Sequence, residues 1–98
     1  MTLQQLKDSV RATAPPSGLP PAIAALWHDA KGDWDAAHRV AQDVETADGA
    51  WVHAYLHRKE GDASNAAYWY RRAGRPMAKV SLEEEWGQIA AALLGAVE

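Results

Sequence analysis

Apolar residues recur every three or four positions along nearly the whole chain, and the breaks in that rhythm fall at proline or glycine. Leu3, Leu6 and Val10 predict a short N-terminal helix over 2–13, with Thr2 as its N-cap. The segment 14–21, APPSGLPP, holds four prolines and a glycine and reads as a stiff connector. A second helix is predicted over 22–31, with Pro21 at its first position and Gly32 at its end. Asp33 then caps a third, about 34–46, with the stripe Trp34, Ala37, Val40, Ala41 and Val44. Asp48-Gly49 reads as a turn.

The helix after that turn, about 50–60, differs from the others. Trp51 with Tyr55, Val52 with Leu56, and Ala50 with Ala54 occupy three flanks, and His53 and His57 take what remains. Its charges, Arg58, Lys59 and Glu60, come only in the last turn. A helix with almost no polar face is a buried, central one. Gly61 ends it, and Asp62 caps a fifth helix over 63–73 with the stripe Ala63, Ala66, Ala67, Tyr70 and Ala73. Gly74 and Pro76 stop that helix. Ser81 opens the last with a capping-box pattern, and Glu83, Glu84 and Glu85 lie where the helix dipole favours anions. Leu82, Trp86, Ile89, Leu93 and Val97 form its stripe. Six helices without a convincing strand make an all-α protein, and 98 residues make one domain.

The middle of the chain repeats itself. Leu26 to Asp33, LWHDAKGD, matches Tyr55 to Asp62, YLHRKEGD: each has a His four residues before a Gly-Asp turn, and Ala37 and Ala66 both follow the Gly by five. Tandem helix–turn–helix units are the signature of an α-solenoid. Gly32-Asp33-Trp34 with Ala37, and Gly61-Asp62 with Ala66, resemble the tetratricopeptide repeat, with Ala63 in place of the second aromatic and a shorter spacing between units. The resemblance implies a right-handed array of two helical hairpins, 22–46 and 50–74. An N-terminal helix (1–14) and the connector (15–21) would precede it, and a capping helix (81–97) would follow. It also implies a peptide-binding role, and it sets Asp29 beside Arg58 as a cross-helix ion pair. The whole chain is similar, too, to small bacterial proteins, a likeness that implies no activity.

Composition narrows the partners. The formal charge of −3 and a pI near 5.7 argue against duplex nucleic acid and anionic membrane. Without cysteine there is neither a disulfide framework nor a thiolate metal site, which fits a cytoplasmic setting. No secretory signal is visible in MTLQQLKDSV, and no apolar run approaches bilayer length. Trp occurs five times and Phe never, so the core must satisfy several indole N–H groups.

Two groups of residues carry candidate chemistry. His53 and His57 share a helical face with Glu60 one turn on, a donor set suited to zinc, non-haem iron or another divalent ion, with His28 as a further ligand from the neighbouring helix. The zinc-protease pattern is absent, because Ala54 follows His53. Structural histidines bonded to nearby Asp or Tyr are the commoner outcome, and a polar ligand pocket is a third. The other group is a groove formed by Asp29, Trp51, Tyr55 and Arg58, with Asn65 and Trp69 on the next helix, that would hold a peptide or partner helix. His38 is expected at the margin of the core, beside Asp35 and Gln42. The first expectation is a non-catalytic interaction module without a cofactor. The alternative is a metal-binding or hydrolytic protein, and an uncovered Trp86 would add self-association.

Overall fold

Six helices follow one another in the computed structural model, which describes residues 1–96: α1 (Leu3–Ser9), α2 (Pro21–Ala30), α3 (Trp34–Gln42), α4 (Ala47–Lys59), α5 (Ala63–Ala73) and α6 (Leu82–Ala96). Among the described residues there is no strand. Val97, the last member of the expected α6 stripe, lies outside them.

Helix α4 is the axis of the molecule. Every residue from Gly49 to His57 is buried, and the helix packs against α2, α3, α5 and α6. That follows from its sequence, which has no run of charges until Arg58. The chain-adjacent pairs α2/α3 and α4/α5 make the most extensive contacts, α3 joins one pair to the other, and α1 closes one end against α2 and α6. The radius of gyration is 12.2 Å, close to the value of about 13 Å for a compact chain of this length. Trp86 on α6 is sealed in, its indole N–H donating to the Leu26 carbonyl at 2.9 Å.

The repeated Gly-Asp turn is repeated in space. Gly32 and Gly61 both take positive φ, 91° and 87°, a conformation that costs a side chain energy. Asp33 and Asp62 then cap α3 and α5 alike, accepting from the N–H of Ala36 and of Asn65. Their own N–H groups donate back to the carbonyls of His28 and His57, each at 2.9 Å. Ala37 and Ala66, both fully buried, let the paired helices approach closely.

Boundaries between helices depart from expectation where capping groups compete. Helix α3 ends at Gln42 rather than running to Thr46, so Val44 belongs to the connection. Thr46 instead caps α4, its hydroxyl accepting from the Gly49 N–H at 3.2 Å. Asp48-Gly49 is therefore the first turn of α4 and not a loop. Gly49 is there because a Cβ would come within 2.2 Å of the Val44 carbonyl oxygen. Helix α1 stops at Ser9, whose hydroxyl turns back to the Leu6 carbonyl. On α5 only Ala66 and Tyr70 are buried; Ala63 is exposed and Ala67 and Ala73 are half-covered.

Candidate metal centre

Helix α4 places His53 and His57 one turn apart on the side that faces α3 and α5, both at least nine-tenths buried. From α3, His38 reaches across to meet them. His53 Nε2 and His38 Nε2 stand 3.0 Å apart. The ring centroids of His53 and His57 are 4.8 Å apart and those of His38 and His57 5.3 Å. One donor nitrogen from each of the three lies within 4.8 Å of the other two.

The rings around them are fixed. Trp34 stacks on His38 with centroids 4.9 Å apart, and its own N–H is held by the Leu56 carbonyl at 2.9 Å. Trp69 of α5 stacks on His53 at 3.9 Å. His57 Nδ1 is bonded to Glu60 Oε1 at 2.7 Å, which leaves Nε2 as its free donor. A carboxylate on the outer nitrogen of a ligating imidazole orients the ring and raises its basicity. Glu60 is thus placed to orient His57, and with His57 and Asp62 it also forms a second, more exposed group of possible donors.

Burial favours the neutral form of His53 and of His38. Burial pushes His53 down to about 4, and the neighbouring His38 and His57 add to the fall. His38 is lowered as well, chiefly by burial and then by His57, with Glu60 and Asp35 opposing. Neutral imidazole is the form that carries a lone pair for a metal. With no ion present, one Nε2–H donates to the other ring. The tautomer with that proton on Nδ1 would free both Nε2 atoms as donors to an ion.

Of the residues expected to form a metal site, His53 and His57 are brought together, Glu60 stands behind His57, and His28 is elsewhere. His28 lies half-buried, edge-on to Trp27. It is the sequence equivalent of His57 one Gly-Asp turn upstream, on α2, and it does not join the cluster. His38 is half-buried, as expected at the margin of the core, but its place beside His53 and His57 is not marked in the sequence. The sequence signal available was only that it follows Trp34 by four, and the partner helix it meets is a matter of packing.

The residues expected to form a peptide groove make separate contacts. Trp51 and Tyr55 are buried, with the Arg75 guanidinium 3.4 Å from the centre of the Trp51 ring. Asp29 and Arg58 do not pair. Asp29, buried, accepts from the Tyr55 hydroxyl at 2.8 Å and from Lys59 Nζ at 2.9 Å. Arg58 donates to Glu85 at 2.8 Å and to the Val80 carbonyl, and Glu85 also takes the Tyr70 hydroxyl. Burial, then the neighbouring carboxylates, raises both tyrosines far above the usual phenol range. Asn65 turns to Asp62, at 2.7 Å, and Trp69 to the histidines. Among the described residues no buried side-chain nitrogen or oxygen lacks a hydrogen-bond partner. These networks are fully satisfied, and they hold α2, α4, α5 and α6 in place.

Comparison with family models, with curated proteins and with solved structures gave no match. No helix among the described residues is long and apolar enough to cross a membrane.

Proposed function

We propose that this protein binds a late first-row divalent metal ion, zinc foremost, through His38, His53 and His57. One observation carries the reading: three imidazoles from two helices converge, with two of their Nε2 atoms already 3.0 Å apart. Tetrahedral nitrogen ligands at about 2.0–2.1 Å from zinc sit roughly 3.3 Å from one another. The His38–His53 pair is already near that spacing, and His57, whose donor lies within 4.8 Å of the other two, would close the remainder by turning its ring. Nitrogen donors without thiolate or an added carboxylate suit zinc, copper or nickel better than magnesium or calcium. The ligand set differs from the expected one by His38 in place of His28 and by the withdrawal of Glu60 to a supporting place.

Equilibrium dialysis of metal-stripped, untagged protein against zinc tests this. The expected outcome is one ion per chain, lost in His38→Ala. Because His38 is only half-buried, that variant keeps its helical circular dichroism. Protein that takes up no zinc, or takes it up equally well in His38→Ala, would refute the assignment.

The interaction-module reading, with its tetratricopeptide-like arrangement, retains support from a different place. A cleft of about 450 Å³ opens beside α1, α2, α4 and α6, lined in part by Lys7, Val10, Asp29, Tyr55 and Trp86. Two of the expected groove residues lie on it, and its mixed apolar and charged lining suits a short peptide. Val10→Asp should abolish any peptide captured there without touching the histidines. Peptide-array binding that Val10→Asp leaves unchanged removes this second reading.

A further inference from the structure

We infer that the ion held by His38, His53 and His57 keeps one coordination position open to a small monodentate anion or water. The inference rests on the metal-binding reading above and concerns what else that ion binds.

The donors all come from one side. His53 and His57 are one turn apart on α4, and His38 comes from α3. The third helix in contact with this cluster, α5, presents Trp69, whose ring covers His53 and offers no ligand. Three imidazoles would supply three donors to an ion, and among the described residues no other His, Asp or Glu offers a donor to the same group. Glu60 is drawn to the far nitrogen of His57, away from the shared centre. Of the three rings only that of His38 is not buried, so solvent can reach the cluster only on its side.

Charge points to the class of ligand. Three neutral imidazoles would leave the full +2 of the ion uncompensated by its protein donors, since the carboxylates nearest the cluster, Glu60 and Asp35, act on the rings from outside the shared centre. An anion at the open corner reduces that charge. Sites with three protein donors behave in this way, whereas structural zinc sites close all four corners with protein. Ligand exchange here breaks one metal–water bond and forms one metal–anion bond, with no change of oxidation state.

Cobalt(II) substitution with azide titration is the test. Metal-free protein given one equivalent of cobalt should develop the intense visible bands of low-coordinate cobalt, and azide should shift them with saturation at one anion per cobalt. Cobalt bound with a spectrum indifferent to azide overturns the open position and leaves metal binding intact. Absence of the cobalt spectrum overturns both. Glu60→Gln separates a further case: an azide response seen in that variant and not in the parent identifies Glu60 as a fourth ligand, and the proposal fails.

Discussion

Glu85 shows how much one residue's meaning depends on its surroundings. By position it is a first-turn acid, one of three that complement the dipole of α6. In the fold it is 1% exposed and receives both Arg58 and Tyr70. A buried carboxylate with two donors is costly to disturb, because removing its charge strands its partners. Glu85→Gln should therefore lower stability by about 1–3 kcal/mol, read as a fall in the urea midpoint at constant slope. Its neighbour Glu83, exposed, should change the midpoint by less than about 0.5 kcal/mol when replaced by Gln. Equal effects at the two positions would contradict the buried network.

His53 gives a pH dependence whose sign follows from its burial. The folded ring is held down to about 4 from an ordinary 6.5. Between those values the unfolded chain binds a proton that the folded chain does not, so stability rises with pH across that window. The contribution is fully present above about 6.5 and is lost as pH falls towards 4, on the order of 3 kcal/mol in all. Urea midpoints of metal-stripped protein at pH 7 and pH 4.5 should show the loss, and His53→Gln should shrink it. An undiminished loss in that variant places the acid sensitivity elsewhere.

At the scale of the element, glycines on two helices make opposite predictions. Gly49 lies in the first turn of α4 against the Val44 carbonyl, and a methyl group there has no room. Gly49→Ala should cost about 1–3 kcal/mol through the backbone shift it forces. Gly87, within α6, has open space where its Cβ would be. Gly87→Ala should stabilise by up to about 1 kcal/mol, since alanine loses less entropy in a helix. Thermal denaturation of the pair checks both, and a destabilising Gly87→Ala would contradict the packing described for α6. Periodicity located all six helices, and the Gly-Asp turns and their Asp caps were readable because cap and turn chemistry is local. The α3–α4 junction was misjudged because two local signals competed. Thr46 capped the helix, and the first turn of α4 absorbed the Asp48-Gly49 pair.

For the whole molecule, the metal reading predicts that zinc joins the two helical pairs, since His38 belongs to one and His53 and His57 to the other. Zinc at about 100 times its dissociation constant should add about 2.7 kcal/mol, raising Tm by roughly 10 °C or more in a chain of this size. A chelator should reverse it. A Tm unmoved by zinc in the parent protein would remove the link between the pairs.

The histidines divide what each level determined. Residues 50–60 announce a buried helix because no rotation of that segment offers a polar face, and this alone made α4 central. The i, i+4 spacing of His53 and His57 likewise required that they share a side. Which third imidazole joined them was settled only when α3 packed on α4, since a contact between helices depends on their relative rotation and shift, which no periodicity within either one records. The partners of Asp29 and Arg58 were settled in the same way: each charge took the donor or acceptor that packing brought within 3 Å, not the one opposite it in the repeat.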